Sequence, residues 1–432
     1  MNRKLYGEIR TAVSDIPVVD CHDHAAAREK TADILTFIAQ GYFLSDLTSA
    51  SGDREAAFMR DAGRPLNERW PVFERAYRRT RHTGYGKAVR LALKRIFGTD
   101  ELSLATIKEM QKNLPDMSGR ERYDRFYEDA GIVARIADRW PSLQTLKDGT
   151  HAPLPGQRLA ISLPGLHGFK SRVEIEDLER VMEKTVTCLD DYLGLCGEIF
   201  ELWRRRGAVC FKDQSAYGRS LAYANPPRSE AEKVFNRILG DPRYHAEYDP
   251  EGSPLSDYLM HCFMRMAREM RLPVQIHTGH MAGVRNDVAK TNAAGLRSLI
   301  EIHREVRFDL FHLNWPYAGD LLFLAKNYPN VAVDCCWAQT IDPIYTRRFL
   351  VEAVASIPHG KIHGFGSDVG GAEPHIAWAS AEIARDNIAA ALSCLVEEDY
   401  LESGEALEVA ADWLFNNPND FFSLGLEAAG GA

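Results

Sequence analysis

The chain has 432 residues, with 52 Lys plus Arg against 61 Asp plus Glu, for a formal charge of −9. A composition of 45% hydrophobic and 26% charged residues excludes a collagen-like or disordered chain, and the acidic balance argues against a nucleic-acid binder that grips phosphates. No 18-residue apolar run and no apolar signal segment in MNRKLYGEIRTAVSDIP are present, so neither a membrane span nor export is expected. Eight cysteines without a CxxC pair fit buried thiols in a reduced, cytoplasmic compartment.

In chain order, short strands apolar on both faces are expected at 16–22, 132–137, 158–163, 208–211, 273–277, 308–313, 331–336 and 362–366. Between the first two, Gln40–Glu128 reads as charged and mostly helical, broken by Pro65, Pro71 and Pro115. Its basic part, Arg75–Arg95, is either a solvated helix face or a lid bringing cations to an acidic substrate. Glu174–Arg206 reads as one long helix, with Leu178, Val181, Met182, Val186 and Leu189 along a face. Helices are expected around 256–269, 293–304, 319–326 and 345–355, each followed by a strand, and the tail is helical with Glu382–Val396 as its clearest part. Eight strands alternating with helices predict an α/β fold, a (β/α)8 TIM barrel. A doubly wound sheet gains no support, because no GxGxxG or GxxxxGK[ST] follows any strand. The chain is about 180 residues longer than a minimal barrel of about 250. We read 1–432 as one barrel domain with a lid-like helical insertion at 25–130 and a helical extension at 373–432.

Barrel chemistry belongs at the C-terminal ends of the strands. Those ends read Asp20-Cys21-His22-Asp23-His24, Phe211-Lys212-Asp213, Ile276-His277-Thr278-Gly279-His280, Phe311-His312-Leu313-Asn314 and Gly366-Ser367-Asp368. His22 and His24 share a face of an extended segment, and Asp23 faces away as a structural residue. With His277 and Asp368 they make a catalytic metal site that keeps an open position. His312 is placed to polarise a substrate carbonyl, to hold a water, or to support a ligand. His280 is a further ligand, a partner of a ligand, or a substrate contact. Lys212 is costly inside a barrel unless its charge is met. It pairs with Asp368 or a substrate carboxylate, or it is carbamylated and bridges two metals. Tyr217 and Arg219 reach over the mouth, with Arg219 as a carboxylate clamp or a surface ion pair. Asn314 and Trp315 are candidate pocket residues.

With these residues assembled, the chain resembles the amidohydrolase superfamily, most closely the amidohydrolase-related (amidohydrolase 2) branch of decarboxylases and lactone hydrolases, and more distantly the uronate isomerases. The resemblance rests on His22-Asp23-His24, His277, His312 and Asp368. It implies one divalent ion, zinc or in some members manganese, on His22, His24, His277 and Asp368, and two ions if Lys212 is carbamylated. It also implies Asp368 as the proton acceptor and His312 as a substrate-binding or carbonyl-polarising group. The segment 211–219, FKDQSAYGR, is similar to that of domains fused to glutamine synthetase-like proteins. The expected activity is metal-dependent hydrolysis of a small carboxylate-bearing lactone, amide or ester through an activated water. A decarboxylase or uronate-type sugar-acid isomerase is the alternative, and a non-enzymatic metal-binding protein a third. The expected partner is a small molecule, with no nucleic acid or membrane, and a homo-oligomer is expected.

Overall fold

The computed structural model describes residues 2–25, 31–117, 119–138, 141–247, 252–371 and 373–427. Eight parallel strands run in chain order: β1 Val18–Ala25, β2 Ile132–Ala137, β3 Gln157–Ser162, β4 Ala208–Asp213, β5 Val274–Ile276, β6 Phe308–Leu310, β7 Val331–Asp334 and β8 Ile362–His363. A two-residue strand, β9 Gly370–Gly371, pairs with the end of β1, giving the order β8-β7-β6-β5-β4-β3-β2-β1-β9. The barrel closes between β8 and β1 through backbone bonds rather than a full ladder. Cys21 N–H donates to Phe365 O (3.1 Å), Asp368 N–H to His22 O (2.8 Å), and His24 N–H to Val369 O (3.1 Å). Every expected strand is present, and the short ones are buried throughout, as parallel barrel strands must be. The floor of the barrel is packed by Phe415, Phe422 and Leu424 against Val19, Cys21 and Cys210.

The expected single helix over 174–206 is instead two, Arg172–Met182 and Leu189–Arg205. Glu183 takes a left-handed conformation (φ 56°) and ends the first helix, so the apolar spacing continues across a break in the backbone. Pro71 does not break the chain. It sits in the second turn of helix Leu66–Thr80. Among the described residues, no helix is long and apolar enough to cross a membrane.

Seven helices are described between β1 and β2, running from Ile34–Ile38 to Arg120–Asp129. They enclose a core of their own, including Phe37, Trp70, Phe73, Tyr77 and Leu93, which continues into the barrel mouth through Phe311, Cys336 and Trp337. Each such side chain stabilises the folded state by roughly 1.5–3 kcal/mol through burial. Helix Gly84–Phe97 docks closely on the barrel because its first residue has no side chain. A Cβ on Gly84 would lie 1.9 Å from the carbonyl oxygen of Thr340. The cations of Arg75–Arg95 are largely paired: Arg75 with Glu55 (2.9 Å), Arg78 with Glu74 (2.8 Å), Lys87 with Asp386 (3.1 Å), Arg90 with Asp100 (2.7 Å), and Arg95 with Asp129.

Candidate metal centre and its chamber

The alternation of β1 places His22 and His24 side by side, with their Nε2 atoms 3.2 Å apart. Asp368, after β8, brings Oδ1 to 3.3 Å from His22 Nε2 and 3.1 Å from His24 Nε2. From the other side, the Nε2 atoms of His277 and His312 approach to 2.8 Å, and His312 Nε2 lies 3.9 Å from Asp368 Oδ2. The ends of β1, β5, β6 and β8 thus converge on one carboxylate. Lys212 is fully buried beside them, with Nζ 3.5 Å from the Phe311 ring centroid and no hydrogen-bond partner.

The backbone is strained where it aims these groups. Asp368 has φ 52°, and His312, Leu313 and Asn314 have φ 60°, 48° and 51° in succession. Non-glycine residues hold such angles at a cost of order 1 kcal/mol or more each, so something must fix them. For Asp368 it is the Tyr42 hydroxyl, which donates to its carbonyl oxygen at 2.6 Å. For the 312–314 turn it is the Asn314 amide. Its Oδ1 accepts from Ala293 N–H (2.8 Å), and its Nδ2 donates to Asn292 Oδ1 (3.1 Å) and Tyr317 O (2.9 Å). Gly279 lets this turn approach β5, since a Cβ there would lie 2.5 Å from the Asn314 carbonyl carbon.

The donor set fits a divalent ion. His312 Nδ1–H donates to Cys336 O (2.8 Å), which leaves a lone pair on Nε2. His24 Nδ1–H donates to Asp138 O (3.0 Å), with the same consequence. Both Asp368 carboxylate oxygens are buried, with Oδ1 set against the imidazole nitrogens of His22 and His24. Converging lone pairs and a bare carboxylate repel one another unless a cation or a proton lies between them. In the metal-free chain a proton takes that place: burial pushes His24 down, but Asp368 outweighs it and lifts His24 to about 9. Burial would raise Asp368, yet hydrogen bonds and charge from His22 and His24 hold it well below the usual carboxylate range. Burial lowers His22 and His277 well below the usual imidazole value, helped by Lys212, and takes His312 to about 4. Donor atoms of His22, His24 and Asp138, and of His312, Cys336 and Asp368, form two groups close enough to share an ion.

A chamber of about 600 Å³ opens on this centre, with His24 and Ser367 among its lining residues. One wall is the helix Gly84–Phe97 stripe Tyr85, Ala88, Val89, Ala92 and Leu93. That stripe has helical spacing and leaves Lys87, Arg90 and Lys94 outside the lining. The lining also includes Gln40, Tyr42 and Arg60 from the segment after β1, and Glu373 and His375 from the tail. His375 is buried, stacked on Phe37 at 4.6 Å, and pushed down to about 3 by burial. Sequence reasoning missed Tyr42, Arg60, Glu373 and His375. Tyr42, Arg60 and His375 stand on helices with no motif and Glu373 just before one, and only their three-dimensional docking brings them to the chamber.

The other sequence candidates are placed as follows. Tyr217 is half exposed at the mouth, its ring 5.3 Å from His277 and its hydroxyl accepting from Ala282 N–H (3.0 Å). His280 packs against Trp337 (5.0 Å) and Trp315 (5.5 Å), and burial lowers it. Asn314 is engaged in the turn that holds His312. The structure does not bring Arg219 to the chamber. Its guanidinium is buried against Asp257 (2.5 Å), Ser256 (2.8 Å), the Ser220 carbonyl (3.0 Å) and the Tyr223 ring (4.1 Å). Asp23, expected to be structural, lies 3.6 Å from Arg135 on β2.

Comparison with solved structures finds the same fold in two isomerases. Glucuronate isomerase from Caulobacter crescentus superposes with a TM-score of 0.78 at 18% identity, covering 100% of this chain and 96% of that one. Uronate isomerase from Thermotoga maritima superposes with a TM-score of 0.77 at 15% identity, covering 97% of each chain. Among curated proteins, protein fluG of Emericella nidulans is 28% identical over 211 residues, which is 46% of this chain. The aligned region spans 22% of that relative's length. The model of the family described as amidohydrolase matches residues 203–424, just over half of the chain. That stretch carries His277, His312 and Asp368 on the strand ends found above, and the chain belongs to the amidohydrolase family.

Proposed function

We propose that the chain is a metal-dependent isomerase of small sugar acids of the uronate type. Its ion, zinc or manganese, is held by His22, His24, His277 and Asp368, with His312 beside it. The observation that carries this reading is the seating of the chamber on the centre: His24 belongs to both, and the lining residue Ser367 precedes the ligand Asp368 in the chain. The chamber wall comes from the helices after β1, and this segment takes part in the full-length likeness to the two isomerases. A divalent ion there supplies Lewis-acid polarisation of a substrate carbonyl or hydroxyl oxygen.

An aldose–ketose shift moves a proton between adjacent carbons and adds no water, so a walled chamber serves it. Asp368, ionised at neutral pH, accepts the proton of a substrate hydroxyl and returns it to the adjoining oxygen as the carbonyl shifts. His312, neutral at that pH, binds the adjoining oxygen. The 25–130 segment acts as the lid-like wall. One ion is the base state, and carbamylation of Lys212 would add a second.

Hydrolysis of a lactone, amide or ester is the second reading, favoured by the family description. Proton NMR of D-glucuronate and D-galacturonate with zinc- or manganese-loaded protein separates the two. Isomerisation predicts ketose signals from these acids, with no net addition of water to the carbon skeleton. Loss of a lactone or N-acyl substrate with one ¹⁸O incorporated from ¹⁸O-water, and no ketose formed, would replace this reading with hydrolysis.

A further inference from the structure

Below the candidate centre, the barrel interior holds a second set of donor atoms that the proposed reaction does not use. Cys21 on β1, Asp334 on β7 and His363 on β8 are each 0% exposed, and each places a ligand atom within 4.8 Å of the others. Asp309 on β6, also fully buried, holds His363 Nδ1 at 2.9 Å. Asp334 Oδ2 lies 3.8 Å from the same nitrogen. Gln275 Nε2 donates to Asp309 Oδ2 (3.2 Å) and to Cys21 O (3.0 Å). Asp334 Oδ1 accepts from Cys336 N–H (2.7 Å). Two atoms are left buried without a hydrogen-bond partner, Asp334 Oδ2 and His363 Nε2. The Phe421 and Phe422 rings pack on His363 at 4.8 and 5.5 Å.

We propose that Cys21, Asp334 and His363 form a structural metal site for a thiolate-accepting divalent ion such as zinc. None of its ligands belongs to the His22, His24, His277 and Asp368 centre. Thiolate, imidazole and carboxylate together are a zinc donor set. Bonds of about 2.0–2.3 Å to a tetrahedral ion set one sulfur and two nitrogen or oxygen donors roughly 3.3–3.5 Å apart, so the three atoms must draw in by about 1.5 Å at most. The ion displaces to solvent both the Cys21 thiol proton and the second imidazole proton that Asp309 and Asp334 hold on His363, and it answers the unpartnered carboxylate oxygen. Its place in the fold gives it a purpose. The three ligands span the seam where β8 and β1 lack a full ladder, so the ion staples the closure of the barrel.

The test is the absorption spectrum of protein refolded with cobalt(II), together with metal content per chain. We expect a near-ultraviolet thiolate-to-cobalt charge-transfer band in the wild type. It should be lost, with one metal equivalent, in Cys21→Ser and kept in His22→Ala/His24→Ala. Cys336 is the other thiol near a metal cluster, so Cys336→Ser must keep the band. Absence of the band in the wild type, its loss in Cys336→Ser, or its persistence in Cys21→Ser would overturn the proposal. If Cys21→Ser does not fold, the wild-type and Cys336→Ser spectra decide alone.

Discussion

Replacing Gly84 with alanine should uncouple the helical wall from the barrel. The new Cβ would stand 1.9 Å from Thr340 O, 2.8 Å from the Thr340 carbonyl carbon and 3.0 Å from Pro343 Cδ. Ordinary contact needs at least about 3.2 Å, so helix Gly84–Phe97 must retreat by roughly 1.3 Å, at about 1–3 kcal/mol for overpacking. The retreat moves Tyr85, which stacks on Trp337 (6.1 Å) and on Tyr42 (5.7 Å), and Tyr42 in turn holds the Asp368 carbonyl. A displacement of about 1 Å in a wall that positions substrate costs on the order of 100-fold in rate. The assay is kcat/KM of the metal-loaded variant, with near-UV circular dichroism to follow the aromatic stack. Gly7→Ala is the control. It lies inside helix Arg3–Ser14 with nothing within 4 Å of the added atom, so it should leave activity unchanged and add about 0.5–1 kcal/mol of stability. If Gly84→Ala kept kcat/KM within about twofold of wild type and an unchanged aromatic spectrum, the packing argument for the wall would be refuted.

Tyr42→Phe removes the bond to the Asp368 carbonyl, and should weaken metal affinity by about 10–100-fold while leaving the chamber shape intact; equilibrium dialysis reads this, and unchanged affinity counts against a positioning role. Metal uptake should release a proton from His24, whose value of about 9 exceeds its unfolded value. Apparent affinity then rises with pH until about 9, and calorimetry at pH 8 in buffers of different ionisation enthalpy should find about one proton released. In the metal-free chain the same shift gives stability that is full below the unfolded His value and lost as pH rises toward 9. Burial of His375 acts in the opposite sense. Its folded value of about 3 lies below the unfolded one, so its contribution is full above the unfolded value and falls at up to about 1.4 kcal/mol per unit as pH drops toward 3. Denaturant titrations of His375→Asn should show a flatter acid limb than wild type. Lys212→Met replaces a buried ammonium without a hydrogen-bond partner by an apolar side chain. It should raise the melting temperature of the metal-free chain, and a lower melting temperature would show that the Lys212 charge is better compensated than the geometry implies.

The barrel was legible because its strands are short, apolar on both faces and followed by polar residues, and that signal is local. His22, His24, His277, His312 and Asp368 were legible for the same reason: each sits at a strand end, and a barrel gathers strand ends. The break at Glu183 was hidden because hydrophobic spacing reports which face is buried, not whether the backbone turns. Arg219 reads as a clamp in sequence because its partners, Ser256 and Asp257, lie on a helix about 37 positions away. The chamber residues Tyr42, Arg60 and His375 carry no signal of their own. Their role depends on how the helices after β1 and the tail helix Pro374–Glu397 dock, and no periodicity encodes that.

If chemistry depends on an ion at His22, His24, His277 and Asp368, metal content and activity must rise and fall together. This is tested most directly by metal content against sugar-acid isomerase activity, in chelated and reloaded wild type beside His22→Ala/His24→Ala. Chelated wild type should be inactive and should regain activity in proportion to the one equivalent that the double variant cannot bind. A double variant that retained full metal content and activity, or a wild type indifferent to chelation, would contradict it.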